Sequence, residues 1–167
     1  MTTIKSPIKV TVIRRFNNAP ERVFDAWLDT EIIAQWMFGP GVRDEEIVRL
    51  TTDPRIGGSF SFLVRRKGEE IDHVGTYLEI ERPNRLVFTW GIGEAEASRV
   101  TVEIVRCEAG CELKLTHELH PDWADYADRT KAAWQKMLEA LFNRLETAAN
   151  DKRTRKKVHK QERDKKP

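Results

Sequence analysis

The sequence predicts an α+β fold: a curved antiparallel sheet of about six to seven strands wrapped around one long C-terminal helix, with two short helices after the first strand. Three observations predict it. From about residue 43 to residue 119, apolar residues recur at every second position, and Gly-, Pro- and Asn-containing turns interrupt them. From about Asp122 to Ala149 the spacing changes to three and four, in one amphipathic run. That helix has an apolar stripe to bury, and the only large apolar surface in the chain is one face of the sheet. A sheet of this many strands twists and curls, which leaves interior space between helix and concave face.

The elements follow in order. Ile8 to Phe16 is the first strand, with Ile8, Val10 and Val12 alternating against Lys9, Thr11 and Ile13. Asn17-Asn18-Ala19-Pro20 ends it, and Pro20 suits the first turn of a helix, where its missing N–H has no partner to lose. Val23, Phe24, Trp27 and Leu28 mark a helix through about Asp29. Asp29-Thr30 is a fresh cap for a second helix, which Gly39-Pro40-Gly41 terminates. Strands are then expected at 43–50, 59–64, 71–80, 85–90, 99–107 and 111–119. In the last of these, Leu113, Leu115, His117 and Leu119 share one face, while Glu112, Lys114, Thr116 and Glu118 share the other. The long helix carries Ala127, Trp134, Met137, Leu138, Leu141, Phe142 and Leu145 on its apolar stripe. Cys107 and Cys111 flank the tight turn between the last two strands, which places them as a possible cross-strand pair; the default is two reduced thiols.

Composition bounds the function. The 167 residues make one domain, expected at residues 1–150, and two cysteines cannot form a disulfide scaffold or a four-cysteine zinc site. No apolar run reaches the roughly 20 residues of a membrane span, and no secretory signal is visible, so a cytoplasmic location is expected. Residues 151–167 hold nine basic residues against three acids, with Val158 as the one aliphatic hydrophobe. This tail is read as a basic, disordered or frayed-helical extension, suited at most to a weak, salt-sensitive contact with an anionic partner. The rest of the chain is slightly negative and the tail has no interleaved aromatics, so specific nucleic-acid binding is not expected.

Four segments, Ala19 to Gly41, Ile56 to Phe62, Gly75 to Trp90 and Leu115 to His120, together resemble the START-like, or SRPBCC, superfamily with its helix-grip fold. Ala19 to Gly41 (APERVFDAWLDTEIIAQWMFGPG) is similar to the signature opening of single-domain relatives of the activator of heat-shock protein 90 ATPase. Ile56 to Phe62 and Gly75 to Trp90 are similar to its central strands, and LTHELH before a Trp-containing helix to its ending. The resemblance covers about Ile8 to Glu146 and matches that activator's C-terminal domain. It implies a cavity between sheet and long helix that takes an apolar small molecule. Co-chaperone activity goes with an additional N-terminal domain in that family, for which this chain has no room.

The candidate ligand-binding residues are Trp36, Phe38, Phe60, Phe62, Phe88, Trp90, His117, Trp134, Met137 and Leu141. They are the aromatic and apolar side chains expected on facing surfaces, with His117 as the polar group that gives direction. No catalytic residue is assigned, because no nucleophile or second titratable partner is placed beside His117. No P-loop or dinucleotide fingerprint is present and no cofactor is called for. No two histidines stand at i, i+4, and alternation separates Glu118 from His117, so no metal site is assigned. The leading function is binding of a small apolar or aromatic molecule in an internal cavity. The alternatives are a co-chaperone-like or regulatory protein-interaction module, and a cyclase- or hydrolase-like enzyme acting on an aromatic substrate.

Overall fold

The computed structural model describes residues 6–93 and 97–164, with side chains as far as residue 147. Its strands are β1 (Ile8–Phe16), β2 (Glu46–Thr52), β3 (Ser59–Arg66), β4 (Glu69–Glu81), β5 (Arg85–Ile92), β6 (Ser98–Cys107) and β7 (Gly110–Leu119). Helices α1 (Pro20–Asp25) and α2 (Thr30–Trp36) follow β1, and a 3-10 segment (Pro121–Tyr126) leads into α3 (Ala127–Asp164). The strands form one sheet in the order β1-β7-β6-β5-β4-β3-β2, antiparallel throughout. Thus β2 to β7 meander, and β1 closes the sheet beside β7. Register shifts at Ile47/Arg49 and at Tyr77/Glu79 bend the half of the sheet that runs from β2 to β5.

The core lies between the inner sheet face and the helices. Val10, Val12 and Phe16 bury from β1, and Phe60, Phe62 and Val64 from β3, as alternation predicts. Trp134, Met137, Leu138, Leu141 and Leu145 form the buried stripe of α3. Gly75 is indispensable where β4 crosses this face: a Cβ there would stand 1.9 Å from the Thr89 carbonyl oxygen and 2.5 Å from the Phe60 ring.

Four boundaries differ from the sequence expectation, and each has a local cause. The first helix ends at Asp25, not Asp29, and the Ala26 carbonyl accepts the Trp36 indole N–H instead (3.0 Å). Asp29 does cap α2, accepting from the Glu31 N–H at 3.0 Å. β2 starts at Glu46, not 43, because the fully buried Glu45 carboxylate turns inward. It accepts from the Gly39 N–H (3.2 Å) and pairs with Arg66 (2.9 Å) and Arg43 (3.4 Å). The β3–β4 turn is only Lys67-Gly68, both at positive φ, the geometry of a two-residue hairpin. Finally, the run expected as one helix from Asp122 is broken. Pro121 starts a 3-10 segment, Trp123 leaves helical geometry (φ −100°, ψ 20°), and α3 begins at Ala127.

At the other end, α3 continues past residue 149 to Asp164. The side chains of the basic tail, and residues 165–167, lie outside the described residues, as do residues 94–96 of the β5–β6 connection. Cys107 sits opposite Gly110, and Cys111 opposite Arg106. This one-residue offset sends the two thiols to opposite faces, Cys107 exposed and Cys111 buried, and both are free.

Candidate functional site

One end of the sheet collects several chain turns. β5 leaves there at Trp90–Ile92, β6 enters at Ser98, β7 leaves at His117–Leu119, and β1 starts with Ile8 opposite Leu119. The 3-10 segment and the first turn of α3 fold over this end. Between them lies a cleft of about 970 Å³. Trp90, Ser98 and His117 form its floor; Ile92, Trp123 and Tyr126 stand along its walls.

The floor is a closed hydrogen-bond network. The Trp134 indole Nε1–H donates to His117 Nδ1 (3.0 Å). An indole can only donate, so Nδ1 is the acceptor, and the proton of the neutral ring sits on Nε2. Nε2–H donates to Ser98 Oγ (2.5 Å), and the Ser98 hydroxyl donates to the Trp90 carbonyl (2.9 Å). Every polar atom in this chain has a partner, which is what a buried polar group requires. Burial pushes the His117 pKa down to about 4, so the ring is neutral at pH 7. The network ties α3 to β7, β6 and β5 at the base of the cleft.

Ser98 beside His117 has the composition of a nucleophile and its base, and spacing alone did not reveal it. The protons are arranged the wrong way for that chemistry. A general base must present a bare nitrogen to the hydroxyl, and here Nε2 carries the proton while Nδ1 is occupied by Trp134. With its basicity lowered by burial as well, His117 is built to brace the floor.

The ten residues singled out from sequence divide into two groups. Trp90 and His117 line the cleft, and Trp134 lies directly beneath, its ring 5.5 Å from that of Trp90. Trp36, Phe38, Phe60, Phe62, Phe88, Met137 and Leu141 are buried in the core behind it. Their rings fill the space between α3 and the sheet: Phe60 stacks on Phe62 at 4.7 Å and meets Phe88 edge-on at 5.8 Å. Sequence reasoning did not single out Ser98, Ile92, Trp123 or Tyr126. A Trp and a Tyr three residues apart on the polar side of an amphipathic pattern were the available signal.

A second buried polar group lies away from the cleft. His73 Nδ1–H donates to the Phe62 carbonyl (3.1 Å), which fixes the proton of the neutral ring on Nδ1. Burial again lowers its pKa. Phe38 packs on this ring at 4.8 Å, and the Glu45–Arg43–Arg66 cluster anchors the loop beside it. Among the described residues, no three His, Cys, Asp or Glu side chains converge as metal ligands, and no helix is long and apolar enough to cross a membrane.

A seven-stranded curved antiparallel sheet gripping a long C-terminal helix, with two short helices after the first strand, defines a helix-grip protein of the START-like class. Residues 17–146 match the model of one family in that class, described as Activator of Hsp90 ATPase homolog 1-like protein, and the chain belongs to it. Solved structures share the fold. A protein from Rhodobacter sphaeroides aligns with a TM-score of 0.75 at 20% identity, covering 84% of this chain and 93% of its own. An AHSA1-like protein from Aeromonas hydrophila gives 0.70 at 22% identity, covering 85% and 94%. A protein from Chromobacterium violaceum gives 0.71 at 22%, covering 82% and 96%. No curated protein matches the sequence.

Proposed function

We propose that this protein binds a small apolar or aromatic molecule, and that the binding site is the cleft at the β5–β6–β7 end of the sheet. The cleft volume carries the reading. About 970 Å³ is at the upper end of the range for small-molecule sites, which are mostly apolar with a few placed polar groups. Ile92, Trp90, Leu119, Trp123 and Tyr126 supply the apolar surface here, His120, Ser98 and Thr130 neutral polar groups, and Arg99, Glu118 and Asp122 charged ones. The START-like fold commonly binds small hydrophobic ligands, which supports the same reading.

In this reading Trp90, His117 and Trp134 are the floor of the site. The other residues singled out from sequence hold that floor from behind. An interaction module is the weaker reading, because the exposed Ile92, Trp123 and Tyr126 converge on a concavity instead of spreading over a flat face. The Ser98–His117 tautomer disfavours a hydrolase. Two free thiols suit a reducing compartment such as the cytoplasm.

Native mass spectrometry of the purified protein tests for a co-purified small molecule. Amide-shift titration with aromatic, sterol and fatty-acid ligands then locates the site. Shifts at Ser98, His117 and Leu119 are expected. If no ligand moves these amides at millimolar concentration, the cleft is not a ligand site and the interaction-module reading replaces it.

A further inference from the structure

We propose that the 3-10 segment Pro121–Tyr126 is a specificity element that selects flat, uncharged aromatic ligands, with Trp123 and Tyr126 stacking on the ligand. The proposal rests on the cleft being the binding site and names the class of molecule it takes.

The first observation is misplaced apolar surface. Trp123 is 51% exposed and Tyr126 46%, while Trp27, Trp36 and Trp134 are all buried. No residue of the segment is buried, so its aromatics contribute nothing to the core. Yet both rings line the cleft, 5.1 Å apart, and Ile92, 53% exposed, lines it too. The two rings pack tilted on each other, at 49°, and together they give the cleft an aromatic surface on which a flat π-system can stack. An aliphatic chain would gain burial from the same surface but no stacking.

The second observation is how the segment is held. Its hydrogen bonds at the start are local: His120 Nδ1 accepts from the Asp122 N–H (3.1 Å) and the His120 carbonyl from the Trp123 N–H (2.8 Å). Trp123 breaks helical geometry, so the segment is a separate turn ahead of α3 and not part of that helix. Neither ring is part of the helix–sheet core, so the segment can carry different side chains without disturbing it.

The third observation is charge. The Arg99 guanidinium at the cleft lies between two carboxylates, Glu79 and Glu118, each at 3.9 Å. His120 Nδ1 is taken by the Asp122 N–H. Arg129 lies over the Tyr126 ring at 5.7 Å. Arg99 already faces two carboxylates, and Glu118 and Asp122 add negative charge to the cleft lining, which repels a carboxylate or phosphate head. An anionic ligand would bring its desolvation cost without a compensating ion pair.

The test uses three ten- or eleven-carbon probes with the full-length chain: 2-naphthol, 1-decanol and 2-naphthoate. Binding is read from shifts at Ile92, Ser98 and Thr130. The expected result is that 2-naphthol binds about tenfold more tightly than either other probe. The exposed-site double variant Trp123→Leu, Tyr126→Leu keeps apolar surface and removes the rings. It should lose about tenfold for 2-naphthol and change 1-decanol by less than about twofold. Equal losses for both probes, no loss for 2-naphthol, or 2-naphthoate binding as tightly as 2-naphthol overturns the proposal. Decanol binding in the cleft without naphthol preference overturns only the selectivity. If none of the three binds the wild-type chain, the cleft reading falls together with it.

Discussion

His117 shows how a single residue's partners decide its chemistry. Its place on the leucine face of β7 is legible from alternation, since Leu113, Leu115 and Leu119 bury beside it. Its partners are not legible, because Trp134 and Ser98 lie 17 and 19 residues away and no periodicity connects them. The network has a pH signature. A histidine with a folded pKa near 4 and an ordinary unfolded value of 6.5 binds its proton more readily when unfolded. Stability should therefore be constant above about pH 6.5 for this group and fall as pH drops toward about 4. The loss is on the order of 3 kcal/mol. Proton NMR of the imidazole checks it directly: a measured His117 pKa at or above 6 would contradict the buried, doubly engaged ring. Trp134→Phe keeps most of the ring volume but strips Nδ1 of its donor, and should cost about 1–3 kcal/mol in urea unfolding. A loss too small to measure would mean that the indole bond is not made in solution.

At the scale of elements, hydrophobic period carried the reading and side-chain diversions defeated it. Strand faces and the stripe of α3 follow from spacing alone. The start of β2 and the break at Trp123 do not, since the first depends on where Glu45 finds cations and the second on Pro121 opening a different helix type. The faces of α3 are testable by a matched pair of substitutions. Leu141 is fully buried, so Leu141→Ala should cost about 2–5 kcal/mol. Glu139 is half-exposed and pairs with Arg14 at 2.9 Å, so Glu139→Ala should cost under about 1 kcal/mol. Equal effects in denaturant melts would reverse the assigned faces. Gly75→Ala is the harsher case for a strand. The clash is with the Thr89 backbone oxygen, which cannot rotate away, so β4 and β5 must part and the loss should be about 3 kcal/mol. A thermal melt close to wild type would show that the sheet relaxes there at little cost.

For the whole molecule, the layers were legible and the empty space was not. A sheet that curls around a helix follows from pattern, but a cavity is a small difference between the enclosed volume and the side chains that fill it. Phe60, Phe62, Phe88 and Trp36 occupy the middle, and the cleft of about 970 Å³ lies at the sheet end, where the chain turns. Charge is also divided along the molecule, with the basic tail against a slightly acidic body. We expect the folding unit to be residues 1–150, because the last buried side chain described on α3 is Leu145. One aliphatic residue among nine cations cannot offset an ordering entropy of roughly 1–2 kcal/mol per residue. A chain ending at residue 150 should therefore unfold within about 0.5 kcal/mol of the full-length protein. The two forms should separate on a heparin column. Six net positive charges attract a polyanion through counterion release, so the full-length protein should be retained at low salt and released steeply as salt rises. The shortened chain, with a net charge near −4, should flow through. A stability loss above about 1 kcal/mol would mean that the tail packs against the body. Equal retention of the two forms would move the anion-binding surface onto the sheet.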